Sequence, residues 1–199
     1  RNPDDYEKQL QFANTLTALG GVYMQAEKEK DAEDVLVRAV AVSQNLAAQR
    51  ADEVSRILLS NALLLLGTHY LSIDREQDGE DALTRSLGVS QELVKDASEG
   101  MTHPHQPSKA TDILAGALFM LGFVYQFSER EQEAENAFNR VLTLYQDQLE
   151  DHSDTSLLGR TLDALNELYR MQGRNEELEK SLLLRQRMIG QGGDEPAGF

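Results

Sequence analysis

Few residues in this sequence could do chemistry, and they are scattered. There are four histidines, His69, His103, His105 and His152, and no cysteine. His103-Pro104-His105 sets two imidazoles either side of a proline, close enough to chelate a metal loosely. A transition-metal site ordinarily takes three or four placed ligands. Neither His-Glu-x-x-His nor Glu-x-x-His occurs to supply them, so the pair reads as a solvated junction. His69 stands beside Tyr70 inside an apolar-periodic stretch and reads as a packing residue rather than a base. Carboxylate pairs such as Glu131/Glu135 and Glu176/Glu179 lie about one turn apart, a spacing that on a helix usually marks the solvent face. The glycines fall at repeated apolar positions or in the tail, not in a phosphate-binding loop. Lack of cysteine removes disulfides, thiolate zinc sites and a thiol nucleophile. No catalytic, cofactor or metal set emerges, and the expectation is a protein that is not an enzyme.

Composition narrows the partners. The net charge is −15, which repels nucleic-acid phosphate and anionic lipid. No run of about 18 apolar residues is present, so no segment is expected to span a membrane. The chain begins at Arg1 without a signal-peptide pattern, which suits a piece of a longer protein or a mature form whose targeting segment is gone. The expected location is the cytoplasm, or an organelle if such a segment has been removed.

The elements that would position a site are helices. Pro3, Pro104, Pro107 and Pro196 leave the stretches 4–103 and 108–195 uninterrupted, and Ala, Leu, Glu, Gln and Arg are good helix formers. Within them one pattern recurs: Leu19-Gly20-Gly21-Val22-Tyr23, Leu66-Gly67-Thr68-His69-Tyr70, Leu121-Gly122-Phe123-Val124-Tyr125 and Leu165-Asn166-Glu167-Leu168-Tyr169. Another Leu precedes each by three residues: Leu16, Leu63, Leu118 and Leu162. Counting from the small residue (Gly20, Gly67, Gly122, Asn166), offset +12 holds Ala32, Gly79, Ala134 and Leu178. Offset +16 holds Leu36, Leu83, Phe138 and Leu182, and offset +19 holds Ala39, Ser86, Val141 and Arg185. Leu, small residue and Tyr at spacings of three and four share a helix face, and the small residue admits a second helix closely. The unit is a helical hairpin that buries its apolar faces by stacking on neighbours. Unit four departs at Leu178 and Arg185, as an end repeat with one neighbour does.

These residues resemble the tetratricopeptide repeat signature across residues 4–190. The resemblance implies an all-α, right-handed α-solenoid of four hairpins, about eight helices. We place the helices at 3–26, 29–49, 52–73, 76–97, 108–128, 130–150, 154–172 and 174–189. The array would span 1–190, with units near 3–50, 51–97, 108–150 and 154–189. Residues 98–107 form the connecting loop and flex point, and 191–199 a disordered tail. Steps between the small residues exceed the ordinary repeat of about 34 residues. Long repeats with Thr102-His103-Pro104 and Asp151-His152-Ser153 at the junctions resemble those of kinesin light chains. The asparagine which that family carries at offset −2 is absent, since Ala18, Leu65, Met120 and Ala164 stand there, and this argues against acidic cargo.

In the resembling family the first helix of each unit lines a concave groove. Carried over by offset, the groove residues are Asn14, Thr17, Asn61, Leu64, Leu65, Thr68, Phe119, Met120, Phe123, Phe127, Arg160 and Arg170. The positions where chaperone-binding members clamp a terminal carboxylate hold Thr17, Gly21, Leu65, Gly116 and Met120, which cannot do so. Phe119, Phe123 and Phe127 recur every four residues and form either an anchor for an amphipathic helix or core. Arg160 and Arg170 are expected to pair with Asp163 and Glu167. The function implied is a protein-interaction scaffold or adaptor, acting in complex assembly or cargo recruitment. Its partner would be an amphipathic helix or extended segment. A peptide-sensing regulatory domain and a self-associating module (a homo-oligomer) are the alternatives.

Overall fold

A computed structural model describes residues 3–100, 109–145 and 156–191 of the chain. Among the described residues there are eight α-helices and no strand. They are α1 (Pro3–Gln25), α2 (Glu29–Gln49), α3 (Glu53–Ser72), α4 (Glu76–Gly100), α5 (Lys109–Phe127), α6 (Glu131–Leu144), α7 (Ser156–Met171) and α8 (Asn175–Gln191). Most bounds fall within one residue of their expected places, but α6 ends at Leu144 rather than at 150, and α7 begins at Ser156 rather than at 154. α4 runs on to Gly100, into the expected loop, and α8 includes Gln191, the first residue of the expected tail. The rest of that loop and tail, residues 146–155, and His103, His105 and His152 lie outside the described residues.

The chain divides into two compact units, Arg1–Met120 and Leu121–Phe199. That division falls within α5. α5 serves two sets of contacts: Gly116 faces Leu64 of α3, while Gly122 faces Phe138 of α6.

The small residue does what its spacing implies. A Cβ built on Gly20 would lie 2.4 Å from Leu36 Cδ2, one on Gly67 2.7 Å from Leu83 Cγ, and one on Gly122 2.4 Å from Phe138 Cε1. Offsets 0 and +16 therefore touch in the first three hairpins, so closely that any larger residue would force the facing side chain to shift. In the second hairpin offset +12 joins them, because a Cβ on Gly79 would approach the Gly67 carbonyl oxygen at 3.2 Å. A second contact pairs offset −7 with +19. In the second hairpin this is a buried serine ladder: Ser86 Oγ donates to the Ser60 carbonyl at 2.8 Å and Ser60 Oγ to the Ser86 carbonyl at 3.0 Å. In the fourth, Arg185 lies against Gly159 and pairs with Asp163 at 3.0 Å. The departure at Arg185 is thus accommodated by a glycine opposite it. Asn166 is buried where the other hairpins have glycine, and Leu182 is 45% exposed where the others bury their large residue.

Each hairpin turns through the same latch. Glu27, Asp74, Glu129 and Gly173 adopt φ of 55°, 59°, 58° and 68°. The next residue's N–H returns to the tyrosine carbonyl: Lys28 to Tyr23 (2.9 Å), Arg75 to Tyr70 (2.9 Å), Arg130 to Tyr125 (2.7 Å) and Arg174 to Tyr169 (2.9 Å). This is a Schellman closure, satisfying carbonyls that the helix end would orphan. The same four cations lie over the four tyrosine rings, Arg75 at 4.1 Å and Lys28 at 5.6 Å from the centroids.

Arg75 and Arg174 also tie their hairpin to the one before it. Arg75 reaches Glu33 of α2 at 2.6 Å, and Arg174 reaches Glu135 of α6 at 2.6 Å. Both glutamates stand at offset +13 of the preceding repeat. Tyr169 donates to Glu135 at 3.1 Å. Burial, with the neighbouring Glu33 or Glu135 carboxylate, pushes the Tyr70 and Tyr169 hydroxyls above the ordinary tyrosine range. Asp52 caps α3, accepting from the Ser55 N–H at 2.9 Å and from the Tyr6 hydroxyl at 2.8 Å, so it also ties the start of α1 to the α2–α3 corner. Burial raises the Asp52 carboxyl, but these hydrogen bonds outweigh it and hold the group below the usual carboxylate range.

By length and composition alone, α3 and α5 could cross a membrane. In the fold much of each is buried against other helices, with Ser55, Ser60 and His69 of α3 buried too, which accounts for their apolar character. His69 packs in the core as its setting implies, although its Nε2 has no hydrogen-bond partner.

Candidate functional site

The first unit carries an open groove of about 460 Å³ between α1 and α3, with Lys109 at the start of α5 also lining it. Such a volume lies within the range of binding clefts, roughly 300–1,000 Å³. Leu10 and Leu58 line it and belong to a buried core cluster with Ala13 and Leu46. Val54 and Ile57 stand on the α3 wall, and Val54 is 55% exposed. Glu7, Gln11 and Asn14 line it from α1 and Lys109 from α5. The arrangement offers an apolar strip, two amide side chains and one charge of each sign. It has no nucleophile paired with a base. Among the described residues no three His, Asp or Glu side chains cluster as a metal site would require.

The groove lies one to two turns nearer the helix N-termini than the carried-over offsets place it. Asn14 lines it; Asn61, half-buried on α3, does not. Leu64 is half-buried and meets Gly116 of α5, and Leu65 packs on the α2–α3 core. Thr68 is half-buried and donates to the Leu64 carbonyl at 2.8 Å. Thr17 and Phe119 are corrections to a groove assignment: both are buried at 2% exposure. Thr17 spends its hydroxyl on the Ala13 carbonyl at 2.9 Å. Met120 is half-buried.

In the second unit, Phe123 is half-buried and packs edge-on to Phe138 at 5.5 Å, with Phe127 stacked on it at 6.4 Å. Phe127 is 78% exposed, so the phenylalanine row passes from core to surface along α5. Arg160 and Arg170 are exposed. Arg170 pairs with Glu167 as expected, and Asp163 pairs with Arg185. The groove residues missing from the sequence reading are Glu7, Leu10, Gln11, Val54, Ile57, Leu58 and Lys109. A signal for three of them was present: Glu7, Val54 and Lys109 all stand at offset −13, reachable because these first helices are longer than those of an ordinary repeat.

No family model matches the sequence, and no curated protein is similar enough to match. Among solved structures the chain is similar to BtubC (BKLC) from P. vanneervenii, with a TM-score of 0.70 and 16% identity over 94% of this chain and 67% of that one. It is also similar to aspartyl phosphate phosphatase F from Bacillus subtilis, with a TM-score of 0.69 and 11% identity over 94% of this chain and 42% of that one. The chain therefore spans about two thirds of the first and less than half of the second. Both are helical-repeat proteins of the tetratricopeptide type, and the fold of this chain is of that type.

Proposed function

We propose that this tetratricopeptide-type chain is a protein-interaction scaffold that holds a polypeptide segment in the α1–α3 groove and catalyses no reaction itself. The observation that carries the reading is the groove's composition. An apolar strip of Val54, Ile57 and Leu58 runs beside Gln11 and Asn14, which can hydrogen-bond a peptide backbone, and Glu7 and Lys109 can fix its direction by charge. An amphipathic helix laid along the strip, or an extended segment, fits this chemistry. The net charge of −15 favours a partner that is not itself acidic and disfavours nucleic acid. A phosphatase appears among the similar structures, but an identity of 11% carries the fold alone.

The test is a peptide selected by display on the immobilised chain, then titrated against wild type, Val54→Glu and Phe127→Glu. Both residues are exposed, so both variants should stay helical. Loss of binding at least tenfold in Val54→Glu alone places the segment in this groove. Loss in Phe127→Glu alone moves the site to the exposed end of α5. If no peptide binds, or both variants bind as wild type does, the groove is not the site.

A further inference from the structure

We propose that the C-terminal ends of α5 and α7 form a second docking surface, whose partner is a basic amphipathic helix of another protein. Phe127 is 78% and Met171 63% exposed, more than any other large apolar side chain among the described residues. Both stand at offset +5 of their repeats, where the first two repeats carry Gln25 and Ser72. All four residues are exposed, and Ser72 and Phe127 belong to repeats with another on either side in the chain. The exposure is therefore a property of the position. The hairpin forms with polar residues there, and the last two repeats replace them with apolar ones. The two side chains share one edge of the second unit. Gln172, next to Met171, donates to Glu131 at 2.8 Å, and Glu131 opens α6 four residues after Phe127. Phe127 is backed by the Phe123 ring, which rests on buried Phe138, so the outermost ring is already held in place. A side chain ordered in advance loses little freedom when a partner covers it.

Charge selects the occupant. The arginines at this edge are already paired: Arg130 with Glu133, Arg170 with Glu167, and Arg174 with Glu135 and Glu177. Glu129 and Glu131, which follow Phe127, are exposed and make no ion pair among the described residues. An apolar pair rimmed by unpaired carboxylates, on a chain of net charge −15, fits an apolar stripe flanked by Lys or Arg and repels an anionic membrane. No strand among the described residues offers an edge to extend, so the partner must satisfy its own backbone, as a helix does. This surface is separate from the α1–α3 groove and does not depend on it. A chain with both brings two partners together.

The probe is a synthetic helix with leucines along one face and lysines flanking them, titrated against the full chain by fluorescence anisotropy. Its controls are a scrambled peptide that spreads the leucines round the helix and a counterpart with glutamate for lysine. The amphipathic probe should bind, and both controls should bind about tenfold more weakly or worse. Phe127→Gln and Met171→Ser, the residue types of the first two repeats, should each weaken binding about tenfold. Both residues are exposed, so the melting temperature should stay near that of wild type. Glu129→Gln combined with Glu131→Gln should weaken binding severalfold and reduce its salt dependence. Val54→Glu should change nothing, which keeps this surface and the groove apart. Absence of binding, or binding indifferent to Phe127→Gln, overturns the proposal. So does loss in Val54→Glu, which gives the helix to the groove. Vesicles of phosphatidylcholine, with and without phosphatidylserine, are the last arm: they should leave the chain in solution, and sedimentation with them that Phe127→Gln abolishes overturns the proposal in favour of a membrane surface.

Discussion

Gly20 and Gly21 are neighbours on α1, and alanine should act on them in opposite directions. A Cβ at Gly20 falls 2.4 and 2.5 Å from Leu36 Cδ2 and Cγ, and Leu36 is fully buried with nowhere to retreat. Overpacking of this kind costs about 1–3 kcal/mol. Alanine's better helix propensity returns about 0.8–1 kcal/mol. The net is a loss of up to about 2 kcal/mol. A Cβ at Gly21 meets nothing within 4 Å, so there the propensity gain is kept in full, about 0.8–1 kcal/mol. In a chain of this size each kcal/mol moves the melting temperature about 2–4 °C, so the two variants should melt about 2–12 °C apart, with Gly20→Ala below wild type and Gly21→Ala above it. Far-UV circular dichroism during heating, with urea midpoints at constant slope, measures it. A Gly20→Ala protein that melts at or above wild type would refute the close-approach account, and with it the explanation of Gly67 and Gly122.

The Asp52 cap gives a pH signature. Its carboxyl is held below the usual range, so its contribution is complete above about pH 4 and is lost as pH falls through the lowered value. Asp52→Ala should cost about 1 kcal/mol at neutral pH and flatten that part of the acid-stability profile; an unchanged profile would show that the Tyr6 and Ser55 hydrogen bonds are not made. Arg174 joins two hairpins and covers Tyr169, whereas Lys180 pairs with exposed Glu176 on its own helix. Arg174→Leu should therefore lower the melting temperature clearly more than Lys180→Leu, with the difference shrinking only in part at high salt. Equal effects would remove the latch from the account.

The hairpins were legible because their signals are local. Leu-small-x-x-Tyr and its +16 partner report a steric contact that admits few residue types, and seven of eight helix starts fall within one residue of their expected places. The turn latch was equally regular in the sequence, with Lys28, Arg75, Arg130 and Arg174 at one offset. It stayed hidden because Glu27, Asp74 and Glu129 are not residues that announce a left-handed turn, and only Gly173 is. The site was less legible for a geometric reason. Offsets carried from a shorter repeat reach back only to −6, where Asn14 lines the groove, while Thr17 and Phe119 at −3 are buried. These longer helices open their cleft at −10 and −13, at Leu10, Ile57, Val54 and Lys109.

The central claim is that a polypeptide segment lies between α1 and α3. The most direct measurement is photo-crosslinking of the display-selected peptide, with the photoreactive group carried in turn at Gln11, at Val54 and, as a control, at exposed Asp34 of α2. The account predicts crosslinks from Gln11 and Val54 and none from Asp34. Crosslinking from Asp34, or silence at both groove positions while the peptide is bound, would contradict it.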